Sequence, residues 1–194
     1  MHNSLEHLMA VLSSQKFLNK QGLGNEVPFF IFPYEPKDEL EIRAMLPRLI
    51  RKLDEIDINI LRIDLYDLSI EIIKKRGIWE NILDTEDELS KVELKELLQG
   101  VLDVENHLIP AIKETMDQSQ FDILFITGIG EVFPYIRSHN VLNNLQGTAK
   151  EQPTVMFFPG SYEHSLEDGA SLQLFGRLQD DKYYRAFNIY HYEV

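Results

Sequence analysis

Gly128 and Gly130 close an apolar run from Phe121 to Thr127. Glycines so placed let backbone N–H groups approach a phosphate at the start of a helix. The third glycine of a dinucleotide fingerprint is missing, because Phe133 holds its position. No Gly-x-x-x-x-Gly-Lys-Ser/Thr occurs in the chain, which excludes a Walker A loop. The same two glycines equally suit a strand-ending turn that needs positive φ. Further on, Arg137 has the chemistry of an anion clamp and His139 that of an acid or base. Their plainer roles are an ion pair, with Asp64 or Glu131 as partner, and a hydrogen-bonded ring. Asp64, Asp67 and Glu131 fall near strand ends, where Mg²⁺ with phosphate is sometimes held. The six histidines are scattered without His-x-x-x-His spacing, so no metal site is expected. Ser161 follows Pro159-Gly160, but a nucleophile elbow needs glycine two residues to either side, and Pro159 and Glu163 stand there.

The elements that position these residues alternate. Asn3 and Glu6 have capping-box spacing ahead of a helix with Leu5, Leu8, Met9 and Leu12 on one face, which Gly22 and Gly24 end. Val27 to Phe32 reads as a strand, and a helix through Ile42, Leu46, Leu49 and Leu53 follows. Asn59 to Leu65 is a second strand, and its helix stops at Gly77. From about 78 to 120 the chain is mainly helical, with Thr85/Glu88 and Ser90/Glu93 at capping-box spacing and Pro110 expected to start, kink or end a helix. That stretch is longer than one crossover helix needs and reads as an insertion. Phe121 to Thr127 is the third strand, Val132 to Leu142 its helix, and Thr154 to Phe158 a fourth strand closed by Pro159-Gly160. Ser171 to Phe175 and Arg185 to Tyr192 read as two more, separated by a turn around Asp180 and Asp181. The expectation is a single α/β domain over residues 1–194, a three-layer α/β/α sandwich with a mostly parallel sheet.

The 194 residues carry a net charge of −13, and 44% are hydrophobic. Ordinary globular composition sets disorder aside. The acidic balance disfavours direct nucleic-acid binding, which depends on clustered cations. Between Asp84 and Asp117 ten acids face three lysines, the pattern of a solvated helical face or of a docking surface for a basic partner. The absence of cysteine excludes thiol chemistry and fits a reducing compartment. No signal peptide or membrane-length apolar run is present, so a cytoplasmic protein is expected. Tyr183, Tyr184, Phe187, Tyr190 and Tyr192 beside Arg177 and Arg185 form an aromatic cluster suited to strand packing or to a protein interface.

Five segments carry a family resemblance: TGIGEVFPYIRSH at 127–139, LNNLQ at 142–146, VMFFPGSY at 155–162, LFGRL at 174–178 and DDKYYRAFN at 180–188. They are similar to the BrxB family of bacteriophage-exclusion (BREX) defence cassettes of bacteria and archaea. The resemblance runs nearly the length of the chain and is most specific from Phe121 onward. It implies a small accessory protein encoded beside a large ATPase, a DNA methyltransferase and an alkaline-phosphatase-like PglZ protein. It implies no established enzymatic activity and no cofactor. It also implies a sheet like that of P-loop NTPase relatives that lack the phosphate loop. The matched positions nominate Gly128, Gly130, Arg137, His139, Asn143, Arg177, Tyr184 and Arg185 as functional surface. The function expected is a noncatalytic assembly component binding other BREX proteins, the PglZ-type protein above all. The alternative is a nucleotide-binding or nucleotide-hydrolysing module built on Gly128, Gly130 and Arg137, with Asp64 holding Mg²⁺.

Overall fold

The computed structural model describes residues 2–21, 28–165, 169–179 and 186–193. Helices α1 (His2–Leu12) and α2 (Gln15–Leu18) precede strand β1 (Phe29–Tyr34), and α3 (Glu39–Asp54) leads to β2 (Ile60–Asp64). Helices α4 (Leu65–Lys75), α5 (Trp79–Thr85) and α6 (Lys91–Val101) follow, and a π-helical turn, Val104–Leu108, runs into α7 (Ile109–Asp117). Strand β3 (Ile123–Thr127), helix α8 (Ser138–Leu145) and the long strand β4 (Thr154–Ser165) come next. The chain finishes with β5 (Gly169–Leu174), β6 (Leu178–Gln179), β7 (Phe187–Asn188) and a 3-10 turn at Ile189–His191.

Side-chain alternation along the strands makes the layers. Phe29 and Ile31 of β1, Leu124 and Ile126 of β3, and Met156 and Phe158 of β4 enter one buried cluster with residues of α4 to α8. Their neighbours Phe30, Phe32, Ile123, Phe125, Val155 and Phe157 enter a second cluster with α1, Phe17 of α2 and α3. Strands apolar on both faces need helices on both faces, and the three-layer α/β/α sandwich expected from the sequence is the observed architecture. The parallel part of the sheet has the order β2-β3-β4-β1-β7. Its carboxyl ends therefore lie along one edge.

The outer half of β4 differs from the sequence reading. Pro159-Gly160 does not end the strand. Through Pro159 it pairs with Tyr34 of β1, and from Gly160 to Ser165 it pairs antiparallel with β5. Proline lacks a donor and falls at the changeover between the two ladders. A Cβ on Gly160 would collide with the carbonyl oxygen of Gln173, so glycine is what lets β5 approach. Ser161 accordingly lies within a paired strand and not on a nucleophile turn.

Helix starts differ too. The helix expected from Val132 begins at Ser138, because residues 128–137 fold as successive turns with Phe133-Pro134 in cis. Helix α1 already starts at His2, so Asn3 is inside it and not at the position before its first turn. Thr85 ends α5 with its hydroxyl on the Asn81 carbonyl, whereas Ser90 and Glu93 form a complete capping box for α6. Gly77 ends α4 at a φ of +69°, and Pro110 stands in the first turn of α7. The strand expected over 185–192 is, within the described residues, only β7 and the turn after it.

Candidate functional site

Two polar assemblies occupy the carboxyl edge of the sheet. The first is a knot joining β2 to β3. Asp64 caps α4 by accepting from the amides of Tyr66 and Asp67 on Oδ1, at 3.1 and 3.4 Å. Its Oδ2 accepts from the Thr127 hydroxyl at 2.8 Å and from Arg62 at 3.0 Å, while Arg62 Nε donates to Thr127 Oγ1 at 3.1 Å. Both carboxylate oxygens are thus committed to the fold. Gly128 follows at a φ of +77°, and a Cβ there would stand 2.5 Å from Asp64 Oδ1. The turn is glycine because a carboxylate presses on it. That carboxylate also makes the turn a poor seat for phosphate, since like charges repel at this separation.

On the other side, the turn is tied to α3. Arg43 pairs with Glu131 and, at 3.3 Å, with Glu39 one turn away on its own helix. Glu39 accepts the Tyr34 hydroxyl at 2.5 Å. Burial, and secondarily this bond to Glu39, pushes the Tyr34 phenol well above its ordinary value of 10.0, so it stays a neutral donor. The carboxylates read from sequence as partners for Arg137, Asp64 and Glu131, are engaged by Arg62 and Arg43.

The second assembly is a cavity of about 570 Å³ beyond the ends of β1, β4 and β7. Its aromatic lining is Phe32, Tyr34, Tyr162 and Tyr190, and its carboxylates are Glu35, Asp38, Glu41 and Glu163. Among the described residues no lysine or arginine lines it. Among the described residues none of the four carboxylates is in an ion pair. Such walls suit an organic cation held by charge and by aromatic faces. Among the described residues no group of three or more His, Asp or Glu is placed to hold a metal ion.

None of the described residues nominated from sequence lines this cavity. Gly130 lies under the hairpin of β5 and β6, where an added Cβ would meet the Phe175 ring and Pro159, each at 3.1 Å. Arg137 is the extended residue before α8, 5.9 Å above the Phe133 ring, which meets Phe175 edge-on at 6.2 Å. Gly130, Phe133, Phe175 and Arg137 thereby form one contact chain, and Arg177 is exposed on the same hairpin turn. His139 is half-buried in the first turn of α8, and Asn143 is exposed farther along it. Tyr184 and Arg185, like Tyr183, lie outside the described residues. Of the aromatic cluster, Phe187 and Tyr192 pack on Phe30 at 5.7 and 5.5 Å and Tyr190 on Phe32 at 5.3 Å, so these three serve the core.

Glu35, Asp38, Glu41 and Glu163 escaped the sequence reading. The first three read as the acids ordinarily favoured at the start of a helix. Only the pairing of β1 with β4 brings Glu163 to them. A visible signal was the Pro-Tyr-Glu-Pro break between β1 and α3, a strand-to-helix junction with no glycine for a phosphate.

Fold and site together define an α/β sandwich whose carboxyl-edge cavity is acidic and aromatic and whose glycine turn is occupied by protein. Comparison with known proteins gives the family. The family described as BREX protein BrxB matches residues 61–189. A BREX protein BrxB of Bacillus cereus (strain H3081.97) is 35% identical over 187 residues, 95% of this chain and 95% of that protein. Another, of Escherichia coli O9:H4 (strain HS), is 29% identical over 185 residues, 95% of this chain and 89% of that one. No solved structure matches. The chain belongs to the BrxB family. No helix among the described residues is long and apolar enough to cross a membrane.

Proposed function

We propose that the chain is a noncatalytic accessory component of a BREX anti-phage defence system, and that it assembles with other BREX proteins, the PglZ-type protein foremost. Family membership supports the system. The observation that carries the assembly reading is the cavity at the sheet edge, whose carboxylates have no ion-pair partner among the described residues and whose walls are aromatic. Carboxylates there oppose a phosphate and favour a cationic protein surface. Aromatic side chains are also the residues that anchor protein interfaces. The test is to co-express the tagged chain with its whole cassette and recover it at physiological salt. Stoichiometric co-elution of the PglZ-type protein is expected, and repeated elution of the chain alone overturns the reading.

The second reading is a nucleotide-binding module of P-loop ancestry. One observation favours it. β4 lies between β1 and β3, and α3 packs on the face opposite α4 and α8. Loops after β1 and β3 thus diverge to opposite faces, the arrangement in which open α/β sheets hold ligands. Calorimetry with ATP, GTP and their diphosphates, with and without Mg²⁺, separates the two readings. Binding abolished by Arg137→Ala in a folded protein would establish this one.

A further inference from the structure

The acidic cavity does not end at its rim. Leu5, Glu41 and Met45 also line a groove between α1 and α3, a space of about 660 Å³ that continues past Met9, Ala10, Ala44 and Leu49 to Arg48 and Lys52. The joint surface therefore has carboxylates at one end, mainly apolar side chains along the middle, with Glu6 and Ser13 on the α1 side, and two cations at the other end. Among the described residues, neither Arg48 nor Lys52 is in an ion pair. Glu39, one turn from the cavity, differs in being held by Arg43. From Glu41 to Lys52 the helix advances about 16 Å. An extended chain covers that span in about five residues.

We propose that this surface receives a linear segment of a partner protein, with an arginine in the cavity, apolar residues in the groove and a carboxylate about five positions away opposite Arg48 and Lys52. The proposal rests on the assembly reading above and names the site and the chemistry of its partner. Charge complementarity at both ends selects the occupant. A metal ion needs converging ligands, and these carboxylates are spread along a wall. A free amine would satisfy the cavity and leave the groove unfilled. A guanidinium stacks flat on tyrosine and engages a carboxylate through two parallel N–H groups, which an ammonium cannot do.

The probes are acetyl-Arg-Leu-Ala-Leu-Gly-Glu-amide, the same peptide with citrulline for arginine, and both in reversed order, titrated into the full chain labelled with nitrogen-15. In one of the two orders the arginine peptide is expected to shift the amides of Tyr34, Glu41, Ser161 and Glu163. Citrulline, or the pair Glu41→Gln and Glu163→Gln, is expected to weaken binding about tenfold with an unchanged circular dichroism spectrum. Equal binding of the citrulline peptide, shifts confined elsewhere, or no saturable shift at about 1 mM in either order overturns the proposal. If the double variant co-elutes with the cassette proteins as fully as the natural chain does, the segment proposal falls and the assembly reading stands. If the natural chain elutes alone, the assembly reading falls, and the titration still decides the surface.

Discussion

Gly128 carries two separate constraints, a φ of +77° and a carboxylate oxygen where a Cβ would stand. Gly77 carries only the first, a φ of +69° with open space around it. The pair therefore separates backbone strain from collision. Gly77→Ala is expected to cost about 1 kcal/mol, the penalty of a left-handed residue. Gly128→Ala should cost about 3 kcal/mol, because overpacking adds to that strain. Urea denaturation of the two variants checks the order, and equal costs would show that Asp64 moves aside freely. Tyr34 makes a second prediction at this scale. Its phenol is raised by burial and by Glu39, so its contribution to stability is fully present below the unfolded value near 10.0 and is lost as pH rises through the higher folded value. Denaturant midpoints between pH 8 and about pH 11 are expected to fall less steeply in Tyr34→Phe. At pH 7 that variant should be less stable by about 1 kcal/mol, the net value of the lost hydrogen bond.

The helix α6 shows what a local signal can fix. Ser90 and Glu93 have capping-box spacing in the sequence and form that box in the fold, where hydrogen bonds to the Ser90 side chain and then to its backbone hold the Glu93 carboxyl below its ordinary value of 4.5. A depressed folded value means that the cap stabilises above the unfolded value and is lost as pH falls through the folded one. Hydrogen exchange at the first-turn amides of α6 is expected to lose protection as pH falls below 4.5, an effect absent in Glu93→Gln. Thr85 and Glu88 have the same spacing, yet Thr85 is the last residue of α5, with its hydroxyl on the Asn81 carbonyl, and so stands at the wrong end of a helix to cap one. Capping-box spacing therefore acts as a cap only where its first residue precedes a helix. The strands β1 and β3 and the start of β4 were legible because their residues are apolar on both faces. The extension of β4 was not, since Pro159-Gly160 reads as a stop, and only Gln173, supplied by β5, makes it a crossing point. The candidate site was legible in part for the same reason. The Gly128 turn is one continuous signal, whereas the cavity draws on α1, β1, α3, β4 and β7 together.

Charge acts over the whole molecule. A net charge of −13 on 194 residues means that folding concentrates repulsion that the unfolded chain spreads out. Against it stand local pairs such as Lys75 with Glu114, whose side chains are 74% and 53% exposed. Exposed pairs of this kind contribute about 0–1 kcal/mol each and are screened by salt. The long-range repulsion is screened too, since the Debye length falls from about 30 Å at 0.01 M to about 8 Å at 0.15 M. The cavity carboxylates Glu35, Asp38, Glu41 and Glu163, without an ion-pair partner among the described residues, add to the repulsive side. Repulsion outweighs the few exposed pairs, so sodium chloride should stabilise the chain. Its Tm, measured by calorimetry at pH 7.5, is expected to rise by about 2–4 °C between 0.01 and 0.15 M, equivalent to about 1 kcal/mol for a chain of this size. Chloride is the salt to use, because sulfate stabilises apolar burial by a separate route. A falling Tm would mean that ion pairs dominate the surface. The same rise should be smaller in Glu41→Gln with Glu163→Gln, which removes two of the charges responsible while leaving the paired Glu39 and Glu131 in place.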